Sequence, residues 1–407
     1  MGIGRRISRR TQMKWLVRLS ASFAFFKYRL ARAQYFNLFS FWRNSSSSTK
    51  TYTLLGTGSN FSGQLGIGNS SGQSTPVALS GSWQTVACGY SHTLAISADG
   101  TLWGWGTNFN HELGDGTTST RSLPVQITSL SNWAAVAAGQ EHSVGLRSDG
   151  TLWSWGNNSY GQLGVSASSS SAISTLSVPT LVTALSEWAT AGAGGSHTIA
   201  VKTNGTLWAW GANSSFQVGD GTSINKTVPT QIGSSSNWRT AVGGAMHSVA
   251  LDQSSAVWAW GSNFSDQVGD GTFSSRSVPV QVLSSSSPTS QIAAGGSHTL
   301  AIATNGTLWA WGSNSSGQLG TTSSSGSGSL VIQQVGSNSN WSQVAAGTQH
   351  SLGVRTDGTL WVWGSDSSGQ LGEYVSNASV PTQLSVSSVS AWSFVAARAD
   401  YSMLMHS

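Results

Sequence analysis

The sequence predicts an all-β fold: a seven-bladed β-propeller of four-stranded antiparallel blades, its ring closed by N- and C-terminal half-blades. A repeated histidine, a repeated tryptophan pair and a half-unit at each end of the repeat array carry that prediction. The histidine stands at His92, His142, His197, His247, His298 and His350, with Tyr401 in the seventh place, at spacings of 50, 55, 50, 51, 52 and 51 residues. A fixed period of this size marks units that stack on one another to bury a shared core. The second Trp of W-x-W-G recurs at Trp105, Trp155, Trp210, Trp260, Trp311 and Trp363. A degenerate seventh copy, residues 53–58, opens the array, and its missing first half, residues 392–406, closes it. Pairing the two halves in one sheet leaves no open end in the ring.

Within the first full unit, strand A is the V-A-x-G run at residues 85–88. Strand B follows the histidine at 93–96. The B–C connections read Asp99-Gly100, Asp149-Gly150, Asn204-Gly205, Asn305-Gly306 and Asp357-Gly358, dipeptides of a two-residue hairpin whose central residues both take positive φ. Ser254-Ser255 breaks the pattern and predicts a different turn there. Strand C, residues 101–105, alternates its side chains, so Trp103 and Trp105 share one face while the other face presents Gly104 and its mostly small equivalents. Strand D lies in the Ser- and Val-rich stretch toward Pro124. A further Trp stands nine residues before the His or Tyr at 83, 133, 188, 238, 341 and 392. Eighteen of the 20 tryptophans thus occupy repeat positions, which assigns them to packing within and between blades.

The chain separates into a leader, residues 1–50, and a propeller body, residues 51–407. The leader holds 11 of the 19 Lys and Arg and no Asp or Glu. The other 357 residues carry 8 basic and 14 acidic groups, a net of −6, so the basic balance belongs to the leader. The body lacks the basic stripe of a nucleic-acid binder. Three readings of the leader stay open: an Arg-rich organelle transit segment (mitochondrial or plastid), a secretory signal with an apolar core at 19–26, and an uncleaved disordered or membrane-surface arm. Its apolar stretch is shorter than the ~20 residues that span a bilayer. The single cysteine, Cys88, allows no intramolecular disulfide.

The order A-x-G-x-x-H-T-x-A-[IL], D-G-T-L-W-x-W-G, N-x-x-G-Q-L-G resembles the regulator of chromosome condensation repeat, and the resemblance covers residues 51–407. It implies the seven-bladed propeller and admits several functional classes: exchange factors for small GTPases, chromatin-binding and ubiquitin-ligase modules, and a secreted bacterial inhibitor of β-lactamase. Exchange factors of the family carry a β-wedge insertion. Here the only surplus is about five residues in the Ser-rich stretch near Val165–Val178, with no hairpin pattern, which argues against exchange activity. The basic leader is similar in charge to the family's DNA-contacting tail, but its Trp, Phe and Leu content does not suit a phosphate-binding arm.

The six histidines lie one per blade, spread around the ring, whereas a metal centre needs three or four ligands within a few ångströms. Each is expected to tie the start of strand B to backbone groups of its own or the next blade. The G-D-G-T loops at Asp115, Asp220 and Asp270 lack the successive ligands of a calcium loop and read as turns. The G-x-G pairs precede no helix and cradle no phosphate. No cofactor and no metal site is therefore expected, and no nucleophile–base pair stands apart from the repeat.

Departures from the repeat gather on the face where A–B and C–D loops emerge. At the first Gly of G-Q-L-G the copies read Gly63, His111, Gly161, Phe216, Asp266, Gly317 and Gly369, and the following Gln becomes Glu112 once. Phe61, Phe109, Tyr160 and Phe264 lie just before it, and the A–B loops add Tyr90, Gln140, Glu141, Met246, Gln349, Arg398 and Asp400. The expected function is non-enzymatic: a monomeric scaffold that binds a protein partner through this face. The expected contacts are Phe61, Tyr90, Phe109, His111, Glu112, Glu141, Tyr160, Phe216, Met246, Phe264, Asp266 and Asp400. The alternatives are an exchange factor with a small GTPase as partner, and a secreted enzyme inhibitor or surface-binding protein.

Overall fold

In the computed structural model, the described residues are 52–165, 174–322, 329–372 and 377–407. The leader and most of the Ser-rich surplus lie outside them. Every described strand pairs antiparallel, and the strands gather into six sheets. Five of these have four strands, each one complete blade, and the sixth has seven. That larger sheet joins the first full blade to the closing blade. Trp392–Arg398 and Tyr401–His406 supply strands A and B of the closing blade, and Tyr52–Gly58 supplies strand C. Its strand D runs unbroken into strand A of blade 1 as the 16-residue strand Gln73–Cys88. The seven blades are thus strung as the half-units imply, with the boundary between the closing blade and blade 1 crossed by one unbroken strand.

The B–C turns differ from the two-residue hairpin. Gly100 N donates to Ser97 O at 3.0 Å and Ser97 N to Thr101 O at 3.0 Å, so three residues form the loop. Only the glycine takes a positive φ, 80° at Gly100, which is the type I turn followed by a left-handed bulge residue. Asp99 accepts from Thr101 N, an Asx bond that favours this form. Ser254-Ser255 makes the same turn and no other type: Ser255 takes the glycine's place at φ 69°, and the Asp252 carboxylate accepts from the amides of Ser254 and Ala256.

The aromatic face of each blade packs on the aliphatic face of the blade before it. Leu94, Ile96, Leu102, Leu113 and Ile127 of blade 1 cluster with Trp133, Val136 and Trp155 of blade 2. Trp83 meets Trp103 and Trp105 within blade 1 at centroid distances of 6.1 and 5.6 Å. Edge-to-face and tilted contacts of this kind add to the area term. Prolines occupy the outer strand D at positions 76, 124, 179, 229, 279 and 381, where a missing N–H discourages pairing with another chain.

A polar ladder explains why His, Trp, Gln and Gly recur together. His92 Nε2 lies 3.0 Å from Ser143 Oγ of the next blade. That hydroxyl donates to Glu112 O, as does Trp155 Nε1. The single hydroxyl hydrogen is spent on the carbonyl, so the histidine is the donor. The pattern repeats from His142 to Thr198, His197 to Ser248, His247 to Thr299, His298 to Ser351 and His350 to Ser402. Each histidine therefore binds the next blade's hydroxyl, where backbone groups were expected. The glycine three residues before each one is needed for space: a Cβ on Gly194 would stand 2.0 Å from His197 Cε1, and one on Gly89 2.3 Å from His92 Cε1. Burial pushes the histidine pKa values down to about 3 for His92, His197, His247 and His350, and to about 4 for His298.

Candidate functional site

One backbone bond per blade sets the A–B loop beside the C–D loop. Thr107 N donates to Ser91 O, Asn157 N to Glu141 O, Ala212 N to Ser196 O, and Ser262 N to Met246 O; Ser313, Ser365 and Ser59 repeat it in the remaining blades. All the departures singled out in the sequence therefore stand on one side of the propeller. Each C–D loop is locked from within. Asn60 Oδ1 accepts from Leu65 N, and Asn108, Asn158, Asn213, Asn263, Asn314 and Asp366 do the same five residues ahead. The next side chain is forced outward: Phe61 is 85% exposed, Phe109 74% and Phe264 80%. The other four copies carry Ser at that position, 159, 214, 315 and 367.

Tyr90, Tyr160 and Met246 are also exposed, and Phe216 is half-buried. In ring order the aromatics occupy the closing blade and blades 1 to 4, an arc that leaves blades 5 and 6 with Ser. Glu141 is exposed and accepts from Asn157 Nδ2 at 3.0 Å. Asp400 is partly exposed, and burial raises its pKa.

Two expected polar contacts are not at the surface. Glu112 is 2% exposed, and its carboxylate accepts from Asn110 N inside its own loop, as the Gln of the other blades does. Burial raises its pKa. Asp266 is fully buried, and among the described residues neither carboxylate oxygen makes a well-formed hydrogen bond, with only the Gly269 and Gly271 amides partly offsetting the burial. Burial, and then the charge of Asp270, pushes it up to about 7.

Asp266 shares a further property with His111 and Phe216. All three take positive φ, 56°, 62° and 65°, where Gly63, Gly161, Gly317 and Gly369 take 71–83°. The left-handed region costs a non-glycine residue about 1–2 kcal/mol. The alternation of Gly with other residues in the aligned copies held that signal, but it does not by itself reveal the sign of φ.

Sequence reasoning placed Arg398 in the A–B loop without giving it a role. It stands where the other six blades carry the glycine under the histidine: Gly89, Gly139, Gly194, Gly244, Gly295 and Gly347. With Tyr401 replacing the histidine, a side chain fits. Its guanidinium Nη1 donates to Ala193 O of blade 3 at 3.1 Å, across the middle of the ring. Burial pulls its pKa down to about 10, and its charge helps lower those of His92, His142, His197 and His247, in four successive blades.

Comparison with known proteins follows the same geometry. A profile of the regulator of chromosome condensation (RCC1) repeat matches residues 53–96, 99–146, 149–201, 204–251, 254–302 and 305–354. Curated relatives include the human X-linked retinitis pigmentosa GTPase regulator, 35% identical over 102 residues (25% of this chain, 10% of the relative). The mitochondrial RCC1 domain-containing protein RUG3 of Arabidopsis thaliana is 33% identical over 98 residues (24% and 22%). The chain thus spans less than a quarter of either relative's length. Among solved structures, human WBSCR16 superposes with a TM-score of 0.78 at 22% identity, covering 88% of this chain and 99% of that one. Prp20p of Saccharomyces cerevisiae, described with its binding to Gsp1p and histones, gives 0.79 at 21%, covering 88% and 92%. At these identities the likeness establishes the fold.

Proposed function

The chain belongs to the regulator of chromosome condensation repeat family, and from that premise we propose that it is a non-enzymatic interaction scaffold whose A–B/C–D face holds a protein partner. A propeller of this family supports a protein-interaction or exchange-factor-like role. The exposed Phe61, Phe109 and Phe264 carry the choice of face, since each replaces a Ser on a loop locked by its own Asn. Rigid aromatics lose little entropy on binding and act as anchors. With Glu112 and Asp266 buried, Glu141 and Asp400 supply the polar rim. The body's net charge of −6 favours a basic partner surface and association that slows with added salt. In this reading residues 51–407 form the binding body and residues 1–50 an addressing segment.

The test is capture of a partner by the full chain, followed by Phe109→Ser and Phe264→Ser, which install the residue four blades already carry. Each is expected to weaken binding by about 2 kcal/mol with the melting temperature unchanged. Ser254→Ala on the opposite face is the control. Normal binding by both Phe variants overturns the face assignment. A parallel screen for accelerated GDP release from small GTPases is expected to be silent, and clear acceleration would establish exchange activity instead.

A further inference from the structure

We propose that Arg398 makes the centre of the A–B/C–D face a receptor for a single carboxylate. Six blades keep glycine at this position because the imidazole three residues on occupies the space of a Cβ. The closing blade changes both residues at once, Arg398 for Gly and Tyr401 for His, and so extends one cation across the ring to blade 3. Among the described residues no carboxylate pairs with it, while Arg121, Arg147, Arg276, Lys202 and Lys226 have an acidic partner, Arg355 lies over the rings of Trp341 and Trp361, and Arg239 donates to Ser255 and Thr289. One N–H donates to Ala193 O and the residue as a whole keeps partial exposure, which leaves the remaining N–H donors for a ligand. A partly buried cation without a counter-ion is costly, and an arriving carboxylate relieves that cost with two parallel hydrogen bonds. A monoanion suits the site better than a phosphate dianion. Among the described residues Arg398 is the one guanidinium of the A–B loops, and the same face carries Glu141 and Asp400.

In the assembled complex the carboxylate belongs to an acidic side chain or chain end of the protein partner; that part rests on the proposed function, whereas the receptor itself does not. It can therefore be tested without a partner. Thermal melts of the full chain in sodium acetate, against sodium chloride at equal ionic strength, are expected to show a saturable rise in melting temperature. The rise disappears in Arg398→Met and Arg398→Gly, and part of it survives in Arg398→Lys. The glycine variant restores the residue six blades use, and the methionine variant keeps the aliphatic stem, so at least one gives a folded control. If Arg398 merely braces the ring, the variants melt lower in both salts and keep the wild-type response to acetate, which overturns the receptor. A larger rise in inorganic phosphate than in acetate overturns the carboxylate assignment. An acetate response that depends on Arg398, alongside normal partner binding by the Phe variants, keeps the receptor and discards the aromatic face.

Discussion

The Tyr401 hydroxyl lies 3.0 Å from Oγ1 of Thr93 and so makes, between the closing blade and blade 1, the junction that a histidine makes between every other pair. Its one hydrogen has a second acceptor in His92 O at 2.6 Å, so the phenol donates to one of the two oxygens at a time, while the Thr93 hydroxyl donates to Gln64 O. The last link of the ring is thus a phenol, with Arg398 filling the glycine position beside it.

Tyr401→His alone is expected to destabilise the fold by about 2 kcal/mol or more, because the imidazole returns to a site whose glycine is gone. Tyr401→His with Arg398→Gly restores the arrangement of the other six blades and recovers most of the loss. A double-mutant cycle by chemical denaturation measures the coupling; additive effects would show that the two positions changed independently.

Acid destabilises the ring through its histidines. For His92, His197, His247, His298 and His350 the pKa is about 6.5 in an unfolded chain and about 3–4 in the ring, and burial lowers that of His142 too. The unfolded state therefore binds more protons below pH 6.5, and stability falls as pH drops from there toward 4. Denaturant midpoints between pH 4 and 8 check the sign. A flat profile across pH 4–6.5 would mean that the imidazoles stay accessible to solvent.

Asp266→Gly is expected to stabilise the protein by at least about 1 kcal/mol, since it removes a left-handed non-glycine residue together with a buried carboxyl. The native pKa of about 7 lies above the usual 3.8, so the carboxyl's contribution worsens as pH rises from about 4 to 7. The gain from the substitution is accordingly larger at pH 8 than at pH 5. Equal gains at both would assign the effect to backbone strain alone.

Removing residues 392–407 takes away two strands of the closing blade, leaving Tyr52–Gly58 without Tyr401–His406 and blade 1 without its Tyr401 link. The expected result is loss of cooperative unfolding across the whole propeller, read from the melt by tryptophan fluorescence. An unchanged transition would show that the blades stand without closure.

Blade number, strand order and closure were legible because His and Trp repeat with almost fixed spacing, and because alternation places both strand C tryptophans on one face. The hairpin geometry was not: Asp99-Gly100 serves both a two-residue turn and a three-residue bulged turn, and hydrogen bonds at Ser97 decide between them. The exposed Phe109 and Phe264 could be placed from the repeat alone. The burial of Glu112 and Asp266 could not, since it depends on how far their loops fold back on the blade end. The reach of Arg398 to Ala193 joins positions 205 residues apart and leaves no periodic trace.

The join between Tyr401–His406 and Tyr52–Gly58 has one more consequence. Tyr401 faces Gly58 and Met405 faces Leu54, the register in which His92 faces Gly106 and Ile96 faces Leu102. The seam is a B–C hairpin that lacks only its connecting turn. Blade order around the ring is therefore separable from the order of the polypeptide. A circular permutant joined across this seam by an Asp-Gly turn and opened at Asn204-Gly205 keeps every pairing described above, and moves the free ends three blades along the seven-bladed ring.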